Sequence, residues 1–301
     1  MNLDREYAEL GKRILKAKKI YPTRPGVDAY KVFGASIKHS FIQNGFPIIT
    51  TKHINFNSVA AELLWFLKGT TNIKFLNDLG VHIWDAWADM FGELGPVYGK
   101  QWRDWGGSHD QIKNLIAELS CDPYSRRALV SAWNVAELSS MALPPCPVMF
   151  QVDLEVATED DKAKMALRSY KGLSSAYGRD FAISEKRKPV YKLNMAVFQR
   201  SADYFLGLPF DLSSFGALMV LLSNELNAIP GELYWSGGNV HIYSNHIPQV
   251  KKLLTRKSMH TRSNCPWLHI SNKASVNSIQ MSDIDLFNYV SHKKIPAKIA
   301  V

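Results

Sequence analysis

Only three cysteines, Cys121, Cys146 and Cys265, are spread over the 301 residues. They are too few and too scattered for a disulfide framework or a zinc ribbon, and no HExxH or paired CxxC set points to a metal. No stretch approaches the roughly 18 apolar residues of a membrane span. The opening Met1-Asn2-Leu3-Asp4-Arg5-Glu6 lacks the apolar core of a signal peptide, so a reducing, cytoplasmic setting is expected. Gly/Ser-rich linkers and internal repeats are also missing, which argues against a string of modules. What is present is ordinary for a globular chain: 46% hydrophobic and 21% charged residues, in a length that can bury a substantial core. The net charge of +9 leaves a nucleic-acid-binding module open as a reading of a different class. Its lysines and arginines are dispersed, apart from Lys16, Lys18 and Lys19 and the run Lys186-Arg187-Lys188. A phosphate-bearing small substrate accounts for the balance equally well.

Apolar spacing predicts an amphipathic helix from about Leu3 to Lys18, carrying Tyr7, Leu10, Ile14 and Leu15 on one face. Tyr30–Phe33, Phe46–Thr51, Ala128–Trp133 and Val148–Val152 read as strands. A strongly apolar helix is expected from Val59 to Leu67, stopped by Gly69, and a buried one from Ser213 to Leu226. These elements fit one α+β domain over residues 1–301. Residues 157–189 depart from the rest, being rich in charge and small polar groups. They read as an insertion between two core strands: a solvated surface excursion, or a substrate lid or partner-binding element.

Chemistry concentrates at Leu143-Pro144-Pro145-Cys146-Pro147, where three prolines restrict where the thiol can point. A lone cysteine is usually an inert core residue. Arg24, the Arg126-Arg127 pair and Arg200 change that reading, since arginines bind phosphate bidentately and a nearby guanidinium stabilises a thiolate. Sequence spacing does not establish that these groups meet.

Beyond these residues, Gly45-Phe46-Pro47, Thr50-Thr51-Lys52, Glu62 to Leu67, Ile83-Trp84-Asp85 and Gly95 to Trp102 follow in order. Ser125-Arg126-Arg127, Ser131 to Asn134, Pro145-Cys146, Gln199 to Phe210 and His241 to His246 continue the series. Together they resemble the thymidylate synthase family, over most of the chain outside the insertion. The resemblance implies a mixed β-sheet packed by helices, with a sheet face at a homodimer interface. It implies 5,10-methylenetetrahydrofolate as the one-carbon donor. Cys146 resembles the nucleophile that adds to C6 of the pyrimidine, making C5 nucleophilic. Glu62 resembles the carboxylate that organises water and proton transfers, and Tyr98 a residue assisting proton removal at C5. Arg24, Arg126, Arg127, Arg200 and Ser201 resemble the phosphate cradle, with Arg126 and Arg127 supplied by the partner subunit. Gln199 falls within the nucleotide-binding segment, and His241 and Tyr243 resemble ligands of the sugar hydroxyl. Lys52, Ile83, Trp84, Asp203, Gly207, Phe210, Ala300 and Val301 resemble parts of the folate site. On residue chemistry alone, Glu62 suits a buried ion pair equally well, His241 and Trp84 suit core positions, and the tail suits a frayed end.

Asp211 breaks the family pattern, which has Asn at this position. An Asn amide donates to O4 and accepts from N3–H of uracil, whereas an ionised carboxylate only accepts. A carboxylate instead suits the 4-amino group of cytosine, and a protonated one could also donate to N3. Pro147, where the family usually has His, is a second change at the same edge of the base. These two departures resemble the deoxycytidylate-modifying branch of the family. The expected activity is therefore methylation of dCMP to 5-methyl-dCMP. The alternatives are a dCMP hydroxymethylase and a dUMP-methylating thymidylate synthase. Trp84 and the Lys298-Ile299-Ala300-Val301 end favour reduction to methyl over capture of water. Asn239 and His53, where the family commonly has Asp and Arg, have no assigned meaning.

Overall fold

Residues 2–17, 20–23, 26–172, 190–261 and 265–299 are described by a computed structural model. In chain order the elements are α1 (Leu3–Ala17), β1 (Ile20–Tyr21), β2 (Ala29–Ser40), α2 (Phe41–Asn44), α3 (Phe56–Lys68) and α4 (Lys74–Asp78). They continue with α5 (Gly99–Arg103), α6 (Gln111–Cys121), β3 (Leu129–Ser131), β4 (Pro147–Val156) and α7 (Glu159–Gly172). The chain then forms β5 (Tyr191–Asp203), α8 (Gly207–Glu225), β6 (Ala228–Tyr243), α9 (Ile247–Leu254), β7 (Trp267–Ile270) and β8 (Ile284–Phe287).

Six strands form one mixed sheet in the order β1-β2-β6-β5-β4-β3, with β7 and β8 forming a separate pair. β5 and β6 lie at its centre and are its parallel pair. A parallel pair needs a crossover, and α8 supplies it. This helix is apolar on nearly every side, and Leu208, Leu212, Phe215, Leu218 and Leu222 are all buried. A helix of that composition belongs in a core, and α8 lies against both central strands and α3. Alternation along the strands separates two faces: Val197, Gln199, Leu233 and Trp235 are buried, while Phe198 and Tyr234 are exposed.

The predicted opening helix, the apolar helix before Gly69 and the strands around Tyr30, Val130 and Val148 are present with shifted ends. Gly69 is left-handed at the end of α3 and donates its N–H to the Phe66 carbonyl, as a helix-terminating glycine does. The buried helix begins at Gly207, six residues earlier than expected. Pro209 lies in its first turn, where a missing N–H costs no helical bond.

Phe46–Thr51 is not a strand. Its amide groups bond outside the sheet: Phe46 N–H donates to the Pro266 carbonyl at 2.8 Å, and Thr50 N–H donates to Asp4 Oδ1 at 2.7 Å. Asp4 Oδ2 also accepts from the hydroxyls of Thr50 and Ser258, each at 2.5 Å. A buried carboxylate thereby replaces a neighbouring strand.

The charged excursion occupies the connection between β4 and β5. Its first half is α7, whose Met165 is buried, and residues 173–189, including Lys186-Arg187-Lys188, lie outside the described residues. No helix among the described residues is long and apolar enough to cross a membrane.

Asp4→Ala is expected to lower unfolding stability by about 2–4 kcal/mol, because two buried donors of Thr50 and the partly buried Ser258 hydroxyl lose one acceptor. Chemical denaturation measures this. A loss below about 0.5 kcal/mol would show that the Phe46–Thr51 segment is held by packing alone.

Candidate active site

Cys146 immediately precedes β4, on a loop whose backbone is held from two directions. Arg200, on β5, donates its Nε–H to the Pro145 carbonyl at 2.8 Å and an Nη2–H to the Pro144 carbonyl at 2.7 Å. The Arg200 backbone N–H donates to the Cys146 carbonyl at 2.9 Å. Proline makes this clamp effective: Pro144 and Pro145 have no N–H to donate, but their carbonyls remain good acceptors. The guanidinium also lies over the Trp133 ring, 5.3 Å from its centroid, a cation–π geometry. From the other side, Cys146 N–H donates to the Tyr98 hydroxyl at 3.0 Å.

Tyr98 has a backbone φ of 26°, strained for a residue with a side chain. The next residue explains the tight turn. A Cβ on Gly99 would lie 2.3 Å from the Phe66 carbonyl oxygen, so α5 starts in direct backbone contact with the end of α3. That contact brings Tyr98 beside Phe66 and Trp84, with ring centroids 5.0 and 5.7 Å away. Trp84 in turn donates its indole N–H to Glu62 Oε1 at 2.8 Å. Burial pushes the Glu62 carboxyl up to about 8, with nearby Asp211 adding to the rise and the Trp84 hydrogen bond opposing it. Among the described residues the Glu62 carboxyl bonds an indole and makes no ion pair with a cation.

Burial pushes the Cys146 thiol up as well. Arg200 pulls it back down, while Asp211 adds to the rise. The cation predicted from the sequence is thus beside the sulfur, but in one chain desolvation outweighs it. Tyr98 is raised well above the usual phenol range, chiefly by burial, and remains a phenol.

Asp211 lies in the second turn of α8, a consequence of the helix starting at Gly207. Gln199 Nε2 donates to Asp211 Oδ2 at 2.7 Å, and Trp235 Nε1 donates to Gln199 Oε1 at 2.8 Å. Burial raises Asp211 to about 7; the Gln199 hydrogen bond opposes that shift and Asp203 adds to it. Pro147 is directly cross-strand from Gln199, so both departures from the family pattern meet the same glutamine.

A second cluster surrounds the start of α8. Lys52 is buried, donates to the Phe205 carbonyl and lies 4.0 Å from the centroid of the Phe205 ring. Burial lowers its pKa to about 8, with Asp203 opposing the shift. Asp203 accepts the Phe205 N–H at 2.9 Å. His246, fully buried, has Nδ1 4.0 Å from Asp203 and Nε2 2.7 Å from the Lys298 carbonyl, which ties the C-terminal segment to this cluster. Gly207 leaves space there: an added Cβ would touch only Asp203 and Asp211, each at 3.8 Å. His241 faces Tyr243 edge-on at 4.8 Å and is lowered by burial. Ser201, Phe210 and Ile83 are half-buried on β5, on α8 and before Trp84. His53 stacks on Tyr289 at 5.8 Å, and the Asn239 Oδ1 is buried without a hydrogen bond among the described residues. Arg24, Ala300 and Val301 lie outside the described residues.

Arg126 and Arg127 stand apart. Arg127 is exposed and bonds Glu118 at 2.9 Å. Both arginines lie in the turn before β3, whose first residue Leu129 is opposite Gln151, itself roughly 16 Å along β4 from Cys146 at the usual strand rise.

The family model described as Thymidylate synthase matches residues 5–301. The chain belongs to the thymidylate synthase family. It is 38% identical to the thymidylate synthase of Buchnera aphidicola subsp. Schizaphis graminum, over 99% of this chain and 100% of that protein. Identity to the thymidylate synthase of Coxiella burnetii (strain Dugway 5J108-111) is 41%, over 92% of each. The chemistry of thymidylate synthases is methyl transfer to C5 of a pyrimidine nucleotide, with methylenetetrahydrofolate as cosubstrate, and the chain is a methyltransferase of this type. Within this candidate site, residue resemblance alone singled out neither Trp235 nor the support that Trp133 gives Arg200. Both are apolar positions on or beside strands, with no polar signal to distinguish them from core.

The Asp211 shift makes stability depend on pH. Between about pH 4 and 7 the folded chain keeps a proton that the unfolded chain has released. Stability therefore falls as pH rises through that window, and the full penalty is present above it. Asp211→Asn removes the penalty. Its stability relative to wild type is expected to increase from pH 4.5 to 8, towards a limit of about 4 kcal/mol for a shift of about three units. A pH-independent difference in denaturation would mean that Asp211 titrates as an ordinary carboxylate.

Proposed function

We propose that this family member methylates C5 of deoxycytidylate, with Cys146 adding to C6 of the base. The observation that carries the base assignment is Asp211, a buried carboxyl in place of the family amide. Ionised, it presents acceptors only and opposes O4 of uracil while suiting the 4-amino group of cytosine. Protonated, it can accept from that amino group and donate to N3. Discrimination at such a contact is about 1–3 kcal/mol, more where a buried group is left unpaired.

Each remaining residue supports this reading in a distinct way. Arg200 orients the Cys146 loop and lowers the cost of the thiolate. Glu62, with its raised pKa, can both give and take a proton near neutrality. Tyr98 stays a phenol, so it orients a proton acceptor at C5 rather than acting as a phenolate. Gln199 and Ser201 flank Arg200 on β5, and His241 and Tyr243 on β6 suit the sugar. Bound methylenetetrahydrofolate supplies the one-carbon unit and the hydride. Lys52, Ile83, Trp84, Asp203, Gly207 and Phe210 suit this group: a carboxylate for ring N–H donors, an aromatic face, a cation, and a glycine that leaves space. Trp84 and the Lys298 tether favour a closed, dry site and hence a methyl product over hydroxymethyl.

The names of the relatives favour a second reading, the methylation of dUMP. Those proteins are named for making thymidylate, and a protonated Asp211 can offer one donor and one acceptor, as Asn does. Turnover of dCMP and dUMP with methylenetetrahydrofolate separates the readings. Faster consumption of dCMP is expected, with a methylated product and dihydrofolate absorbance appearing together. Faster dUMP turnover would establish the second reading, and hydroxymethyl product without dihydrofolate would overturn the methyl outcome. Asp211→Asn should shift preference towards dUMP.

The exposed sheet face, with Phe33, Phe198 and Tyr234 uncovered, suits a second copy of the chain. In such a homodimer Arg126 and Arg127, which sit in the turn before β3 away from their own Cys146, would complete the partner's phosphate cradle. Mixing inactive Cys146→Ala with inactive Arg127→Glu protein should restore part of the activity, because one site per mixed dimer is then intact. No recovery after subunit exchange would rule out the shared site.

A further inference from the structure

A protonated carboxyl has a weakness as a base reader: its two oxygens can exchange roles. With the proton on the oxygen opposite N3, it pairs with cytosine. With the proton on the oxygen opposite the C4 substituent, it donates to O4 and accepts from N3–H, and so pairs with uracil. Asn has no such ambiguity, because its nitrogen and oxygen are fixed by covalent structure. Replacing Asn with Asp therefore requires something else to decide which oxygen holds the proton.

We propose that Trp235 is a specificity-determining positioning residue, which locks the amide of Gln199 so that the proton of Asp211 can reside only on Oδ1. An indole N–H donates and cannot accept, so its 2.8 Å bond requires the Gln199 oxygen to face Trp235. The Gln199 nitrogen must then face Asp211, and it donates to Oδ2 at 2.7 Å. An oxygen that receives an N–H bond along this direction is the acceptor, which leaves the proton to Oδ1. No other hydrogen bond to Asp211 is recorded among the described residues, so Oδ1 keeps its capacity for a ligand.

The fold builds the lock into the centre of the sheet. Trp235 is 1% exposed and pairs with Val197, while Gln199 pairs with Gly237. The indole thus leans diagonally across the parallel pair to reach the glutamine, within the range of an aromatic side chain. Gly237 makes room for it: an added Cβ would lie 2.4 Å from the indole ring. Without the Trp235 donor, the Gln199 amide can turn over. Its oxygen would then take the proton of Asp211 on Oδ2, and both arrangements of the carboxyl would be available to the base.

This inference rests on the family chemistry and on Asp211 reading the base, but not on which base is preferred. The test measures the ratio of kcat/KM for dCMP and dUMP at about pH 6, where Asp211 carries its proton, in the full-length enzyme. In Trp235→Phe the ratio is expected to move towards unity by about tenfold or more, in whichever direction wild type is selective. Gln199→Met removes the same lock without vacating the indole's space, so it decides the question if Trp235→Phe does not fold. In an Asp211→Ala background, Trp235→Phe should leave the ratio unchanged, a double-mutant coupling that loss of packing alone would not produce. A wild-type ratio retained in the folded variants would overturn the lock, as would a wild-type enzyme with no preference. A wild type preferring dUMP, whose preference collapses in Trp235→Phe, would support the lock while overturning the deoxycytidylate assignment.

Discussion

The bonds from Arg200 to the Pro144 and Pro145 carbonyls are the constraint around which the candidate active site is arranged. They join the central strand β5 to the loop carrying Cys146, and the adjacent backbone bond from Arg200 to Cys146 fixes the same loop in register. One residue earlier on that strand, Gln199 turns inward to Asp211. Two consecutive side chains on one strand thus hold the Cys146 loop and the Asp211 carboxyl. A small shift of β5 would move both together.

Around this axis the site divides by electrostatic character. On the Cys146 side, burial raises Cys146, Glu62 and Asp211 alike, which favours neutral acids there. Such a site can move protons without first paying to discharge ions near neutrality. On the α8 side, Lys52, Asp203 and His246 form a cluster of charged and polar groups joined to the C-terminal segment. The two regions meet at Gly207, whose missing side chain lies between Asp203 and Asp211.

Substitution of Asp for Asn at 211 is chemically small and electrostatically large. It exchanges a neutral donor–acceptor pair for a titrating group in a buried place. Among the described residues its neighbours do not neutralise it with a cation; they give it a hydrogen bond from Gln199, itself oriented by Trp235. That arrangement preserves a defined pattern of donor and acceptor, at the cost of making stability depend on proton occupancy.

Much of this protein was legible in the sequence. The spacing of Tyr7, Leu10, Ile14 and Leu15 determined the opening helix, and the ordered motifs from Gly45 to His246 determined the family and the candidate residues, because both are patterns of residue type along the chain. Tertiary structure decided what depends on which segments meet. It denied Phe46–Thr51 a strand by giving its amides to Pro266 and Asp4, and it started α8 at Gly207 because Pro209 is harmless in a first turn. It put Arg200 beside Cys146 and Arg127 in the turn before β3, paired with Glu118, a distinction that two equally basic residues cannot express in sequence. The role of Trp235 was invisible for the same reason. A buried tryptophan on a strand reads as packing until the partner of its single N–H is known.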